Sequence, residues 1–202
     1  MEFSDVVRRR RMVRRYRDEP VDHAVVERIV ETALRGPSAG FSQGVRLLVI
    51  TDAQRRRRIA QLCNEDAYVA KGVEAWLSVA PVHIVVGVRA DDYRERYAEP
   101  DKASADGAIH DWPVPFWWVD AGAAVMLLLL AAVDEGLGAG VLGIPDHSGL
   151  RELTGMPADV APVCLVTLGH RAAHPGPRGS AARGRKDPAQ TIHWEGWGAA
   201  TR

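Results

Sequence analysis

Three stretches of this chain carry groups that could hold a ligand. Residues 8 to 17, RRRRMVRRYR, place seven arginines in ten positions. A guanidinium is a rigid, planar fork of donors that fits phosphate or carboxylate oxygens. Such a run suits a nucleic-acid backbone, an acidic membrane surface or one compact phosphate. Residues 37 to 44, PSAGFSQG, offer backbone amides, a serine hydroxyl and a glutamine amide in a small-residue loop. Residues 136 to 145, GLGAGVLGIP, offer more amides at the mouth of a strand, where glycine lets a flat ligand lie close to the backbone.

No stretch supplies a self-sufficient catalytic set. GLGAGVLG follows a helix and lacks the third-glycine spacing of a dinucleotide fingerprint, and the chain has neither a Walker A loop nor a GxSxG elbow. The seven histidines are scattered without paired spacing, so no metal site is expected. Asp134 and Glu135 end a helix and read as solvated. No catalytic side chain is assigned. A chain of this kind suits a bound cofactor that brings the chemistry, leaving the protein to bind and orient it.

Composition narrows the choice of ligand. Lys plus Arg equals Asp plus Glu at 26 each, whereas a nucleic-acid-binding domain is usually basic overall. The charge is local, which favours a small anion over a polyanion or a membrane. Cys63 and Cys164 lie far apart in no metal or redox spacing and read as reduced core thiols of a cytoplasmic protein. The N-terminal arginines are followed by more charge, so no signal peptide is expected. The longest apolar run, residues 123 to 133, has eleven residues, while a bilayer core needs about 20 in a helix. It reads as a buried helix, and its all-round apolarity predicts packing against a symmetry mate.

The elements around these stretches follow from caps and periodicity. Ser4 is read as the N-cap of a short first helix. Asp22 and Asp52 are read as caps of two further helices, the second exposing Arg55 to Arg58 as a solvated face. RLLVIT and VHIVVGV read as strands, with a helix between them reaching Trp76. Residues 89 to 118 read as a long irregular lid or binding loop. Asp120 is read as opening the apolar helix, followed by strand VLGI, a short helix after Pro145 and strand VCLVTLG. One domain over residues 1 to 202 is expected, with an extended arm from residue 170 whose closing tryptophans dock on something.

Four stretches, in chain order, carry a resemblance. RRRRMVRRYRDEPV resembles the opening of the FMN-dependent nitroreductase-like family, Arg-Arg-Ser-x-Arg-x-Phe followed by Pro-Val. PSAGFSQG is similar to its Pro-Ser-x-x-Asn-x-Gln-Pro-Trp loop, and EGLGAGVLGIP to its Gly-Leu-Gly segment and strand. RGRKDPAQTIHWEGW is similar to its closing Arg-x-Pro-Leu and Val-His-x-Glu-x-Trp. YAEPDK and WPVPFWW look like an actinobacterial subgroup of that family. The resemblance implies an α+β fold, an α/β/α sandwich with a mixed, mainly antiparallel sheet. It also implies a homodimer with FMN at the interface and electrons passing from NAD(P)H to a nitro compound, quinone or similar acceptor.

Carried over by position, the resemblance implies that Arg10, Arg11 and Arg14 seat the FMN phosphate and that Arg183 and Arg185 close it from the tail. Met12 replaces the family's serine, leaving only its backbone N–H. Pro37, Ser38, Ala39, Gly40 and Gln43 would line the flavin and ribityl region, and the amides of Leu142 and Gly143 would lie near flavin N5. Phe41, Gly44 and Val45 replace the family's Asn, Pro and Trp, and Asp187 and Pro188 replace its Pro-Leu. Phe41 with Trp112, Phe116, Trp117 and Trp118 would line the acceptor pocket. Three alternatives stay open: a flavin-fragmenting enzyme of the dimethylbenzimidazole-forming type, a flavin-binding protein without turnover, and a nucleic-acid-binding protein using the arginine run.

Overall fold

A computed structural model describes residues 1–103, 112–173 and 182–197. The chain divides into two compact units, Met1–Ala172 and Ala173–Arg202. The first unit contains β1 (Val45–Ile50), β2 (Val82–Arg89), β3 (Gly138–Leu142) and β4 (Val160–Gly169) in one sheet of order β1-β2-β4-β3. Every pairing between these strands is antiparallel, and among the described residues the one parallel contact is an isolated bridge between Met12 and Ala139. β2 is buried along seven of its eight residues because helices cover both faces, which explains its unbroken apolar run.

Side-chain alternation along β2 sorts the core into two layers. Val82, Ile84, Val86 and Val88 face α2 (His23–Ala33) and α6 (Phe116–Asp134), meeting Val26, Ile29, Leu128 and Ala132. Val85 faces the other way, toward Ile59 of α3 (Ala53–Leu62) and Leu150 of α7 (His147–Thr154). Each fully buried Leu or Ile here is worth roughly 1.5–3 kcal/mol. The result is an α+β sandwich of helix, sheet and helix layers, as the resemblance implies.

Asp22 and Asp52 cap α2 and α3 as expected, accepting from the amides of Ala24 at 2.9 Å and Arg55 at 2.8 Å. Elsewhere the boundaries differ, for physical reasons. α1 (Phe3–Arg9) starts before Ser4, which lies inside it. The helix expected to reach Trp76 is only α4 (Glu65–Val69). The buried Glu65 carboxylate draws in the amides of Trp76, Leu77 and Ser78 at 2.8, 2.6 and 3.1 Å, so they are lost to any helical ladder. Residues 90–97, read as irregular, form helix α5 (Ala90–Tyr97). Its first turn carries Asp91 and Asp92 and its last Arg94 and Arg96, the arrangement that complements the helix dipole.

α6 begins at Phe116, so Asp120 lies inside it and is buried. Its 19 residues are long and apolar enough to cross a bilayer by length and composition. In this fold it is instead the core helix of its own chain, packed through Ala121, Ala124, Leu128, Leu129 and Ala132. Val119 and Met126 remain exposed on its outer side. Asp134 and Glu135 are paired rather than simply solvated, with the Met1 amine at 2.8 Å and bidentately with Arg28 at 2.8 Å. Arg56 likewise leaves the solvated face, its Nη1 donating to the Ala80 carbonyl at 2.6 Å.

In the second unit, the described residues form a short 3-10 turn, Pro188–Gln190, capped by Asp187 accepting from the Ala189 amide at 3.0 Å. Trp194 and Trp197 are exposed there.

Candidate functional site

The arginine run leaves α1 at Arg10, whose amide makes the last helical bond, to the Val6 carbonyl at 3.0 Å. Beyond it the chain is extended and stitched to the outer edge of β3. The Val13 amide donates to the Ala139 carbonyl and the Arg17 amide to the His170 carbonyl, both at 2.9 Å. Val13 and Tyr16 point inward and anchor the segment. The Tyr16 hydroxyl meets Thr167 Oγ1 at 2.8 Å and donates to the Val13 carbonyl at 3.1 Å. Burial raises the Tyr16 hydroxyl pKa, so it remains a protonated donor.

Six of the seven arginines then divide their labour. Arg8 pairs with Asp5, Arg15 with Glu74, and Arg17 with Glu19 at 3.1 Å. Arg11 turns back to the carbonyls of Arg8 and Arg10, at 2.6 and 3.0 Å. Arg14 lies over the Trp76 ring, 5.8 Å from its centroid. Arg10 differs from these: its Nη1 is buried and has no hydrogen-bond partner. A charged donor left unsatisfied costs upward of about 1–3 kcal/mol, a cost that an anion at this place would offset. Arg10 therefore fits the expected phosphate role best. Arg11 is committed to local carbonyls. Met12 is exposed, with its backbone on the edge of β3.

β3 ends at Leu142, so Gly143 lies just past the strand end rather than within it. A side chain built at Gly143 would meet nothing within 4 Å, which leaves open space for a flat group beside the backbone of Leu142 and Gly143.

The second cluster is the loop before β1. Gly40, Phe41 and Gln43 all adopt left-handed backbone, with φ of 61°, 59° and 54°. For Phe41 and Gln43 this costs roughly 1–2 kcal/mol each. Buried anchors offset it. The Asp120 Oδ2 accepts from the Ala39 amide at 3.0 Å and from the Tyr93 hydroxyl at 2.7 Å. Ser38 Oγ accepts from the Gln43 amide at 2.7 Å, and the Arg96 Nε donates to the Gly40 carbonyl at 2.8 Å. Hydrogen bonds to charged groups are worth about 1.5–3 kcal/mol each, enough to outweigh the strain. Burial, then the bond to Asp120, raises the Tyr93 hydroxyl pKa, which keeps it the donor of that pair. Gly40 is required where it stands, because a Cβ there would lie 2.6 Å from the Tyr97 ring.

Aromatic residues cluster beside this loop. Trp112 packs edge-on to Tyr97, Trp117 and Phe116, with centroids 4.7, 5.9 and 6.5 Å apart, and Trp117 contacts Trp118 at 6.4 Å. Tyr97 links the group to Gly40, and Phe41 projects outward, 75 % exposed. Pro37 and Gln43 are exposed as well, and the Ser38 hydroxyl is used inside the loop.

The two clusters do not meet within one chain. β1 and β3 are opposite edges of the sheet, three inter-strand steps or roughly 14 Å apart. Arg183 and Arg185 belong to the second unit, where both are exposed.

Tyr93, Asp120, Arg96 and Trp76 were not singled out as site residues by sequence reasoning. A signal existed for Asp120, since a carboxylate five residues into an apolar helix must find partners if it is buried. Tyr93 and Tyr97 share a helix face at i,i+4, but only the fold shows that this face carries the loop.

The nitroreductase family model matches residues 7–170. A putative NADH dehydrogenase/NAD(P)H nitroreductase of Methanothermobacter thermautotrophicus is 28% identical over 98% of this chain and 88% of its own length. An FMN reductase [NAD(P)H] of Bacillus subtilis is 29% identical over 80% of this chain and 63% of its own length. The crystal structure of an FMN-dependent nitroreductase from Clostridium difficile R20291 superposes with a TM-score of 0.69 over 95% of this chain and 98% of that one, at 18% identity.

Proposed function

The chain belongs to the nitroreductase family, and we propose that it works as an FMN-dependent oxidoreductase passing electrons from NADH or NADPH to a small conjugated acceptor such as a nitro compound or quinone. The observation that carries this reading is the buried Arg10 Nη1, a charged donor without a partner beside a run of further arginines. FMN, when bound, supplies the two-electron chemistry, and the protein supplies position and charge.

The residues have separable tasks. Arg10 and Arg14 would hold the phosphate. The amides of Leu142 and Gly143 would border the ring and favour negative charge on it. Phe41, Trp112, Phe116, Trp117 and Trp118 offer aromatic faces and edges to a conjugated acceptor.

The same geometry supports a homodimer. The arginine seat and the 37–43 loop stand at opposite sheet edges, so a site using both needs the loop of a second copy. The exposed Val119 and Met126 on the outer side of α6 support a partner covering that helix. The buried thiols Cys63 and Cys164 support a reducing, cytoplasmic setting.

The test is a panel of nitroaromatic and quinone acceptors, run on the FMN-loaded protein with NADH and with NADPH. Consumption of nicotinamide that depends on the acceptor is expected. Tight FMN binding without turnover of any acceptor would replace this reading with flavin binding or flavin fragmentation.

A further inference from the structure

Phe41 is an exposed aromatic side chain on a backbone that its own packing does not justify. Its left-handed conformation is imposed from below, by residues on two helices that are far apart in the chain. Asp120 of α6 accepts from both Tyr93 and Ala39 through one oxygen, Oδ2. Tyr93 of α5 is fully buried, and within the loop Ser38 Oγ holds the Gln43 amide. The Tyr93 ring cannot shift toward the loop, because the backbone of Gly44 already lies against it: a Cβ there would be 2.3 Å from the ring. Arg96, on the same helix, holds the Gly40 carbonyl. The loop is therefore held to α6 at Ala39 and to α5 at Gly40 and closed on itself between Ser38 and Gln43, with Phe41 presented to solvent. Strained backbone held this firmly around an exposed side chain marks a functional position.

We infer that Tyr93 and Asp120 are positioning residues that determine acceptor specificity, by holding the 38–43 loop in its left-handed shape and so fixing Phe41 at the acceptor mouth. This rests on the oxidoreductase reading for the identity of that mouth. The same helix that carries Tyr93 also sets the aromatic wall, since Tyr93 packs edge-on against Trp117 at 5.9 Å and Tyr97 against Trp112. Neither Tyr93 nor Asp120 contacts the acceptor, so their effect reaches it only through Phe41 and its loop.

The experiment compares FMN-loaded wild type, Tyr93→Phe, Asp120→Asn, Phe41→Ala and the Tyr93→Phe/Phe41→Ala pair. Two readouts are taken: acceptor KM and kcat across the panel, and amide exchange of residues 39–43. Tyr93→Phe removes one hydrogen bond to a carboxylate and should raise acceptor KM roughly tenfold, with kcat within about twofold. Phe41→Ala should add nothing further to that change, because both substitutions act through one side chain. Asp120→Asn keeps an acceptor oxygen and should be milder. Loop amides should exchange faster in Tyr93→Phe while β2 and β4 stay protected. Unchanged loop exchange, additive effects of Tyr93→Phe and Phe41→Ala, or kcat and melting temperature falling together would each overturn the inference. If wild type reduces no acceptor, the oxidoreductase reading fails, and amide exchange alone decides whether these two residues set the loop.

Discussion

The Val13 amide donates to the Ala139 carbonyl at 2.9 Å, and this bond joins the arginine segment to the free edge of β3. The approach is close enough to dictate the next residue. A Cβ at Gly140 would lie 2.3 Å from the Val13 carbonyl and 3.1 Å from the Trp76 ring. Gly140→Ala should therefore push the segment off the sheet and cost roughly 1–3 kcal/mol, as overpacking does. Thermal unfolding would show this as a drop of a few degrees. FMN affinity should fall with it, because Arg10 and Arg14 flank the displaced Val13. A variant as stable as wild type would show that the seam tolerates a side chain.

Arg10 and Arg11 are neighbours with different predicted weights. Arg10 carries the unsatisfied Nη1, whereas Arg11 already bonds two carbonyls. Arg10→Ala should lower FMN affinity about 10- to 150-fold, the equivalent of one charge-assisted contact. It should leave the apo protein as stable as before, or more so. Arg11→Ala should change affinity less. Flavin fluorescence titration of both variants separates the two residues, and equal losses would contradict the assignment.

His83 makes stability depend on pH. It is fully buried on β2, its Nε2–H donating to the Leu77 carbonyl at 2.8 Å, with Arg56 and Glu65 the charged groups nearby. Burial lowers its pKa from 6.5 to about 4. As pH falls below 6.5 the unfolded chain takes up this proton first, so the group's contribution is complete above about 6.5 and is lost down to about 4. The full loss is on the order of 3 kcal/mol. Urea unfolding at steps between these values should show a shallower slope in His83→Gln than in wild type. Equal slopes would mean that another group carries the effect.

Burial raises the Cys63 and Cys164 thiols to about 11, so neither forms thiolate near neutral pH. A thiol reagent should label neither residue in the native protein and both in denaturant. Rapid native labelling would mean that one of these core layers opens readily.

The parts of this fold that were legible in the sequence are those governed by local rules. Asp22 and Asp52 cap where their spacing to an apolar run predicts, and the unbroken apolar stretch of β2 marks a strand covered on both faces. The arginine segment, the 37–44 loop and the glycine-rich strand were each recognisable from residue type. Illegible were the features created by contacts distant in the chain. Glu65 binds amides 11 to 13 residues away, which keeps Trp76 to Ser78 out of a helix. Asp120 lies inside a helix whose start the sequence places four residues too late, so its role as anchor of the Ala39 amide could not be read. The division of the arginines among acids, carbonyls, a tryptophan and one unsatisfied donor was equally hidden, since it depends on Glu74, Glu19 and Trp76. The separation of the two site clusters depends on strand order, which no local pattern encodes.

We propose that the arginine segment makes this chain an FMN protein whose complete site needs two copies. A titration of the purified apo chain with FMN tests this, followed by flavin fluorescence and by sedimentation, beside the Arg10→Ala/Arg14→Ala variant. A wild-type dimer that takes up one FMN per chain is expected, with a folded variant that binds none at the same concentration. A wild type that binds no FMN, or a variant that binds it as tightly as wild type, would contradict it.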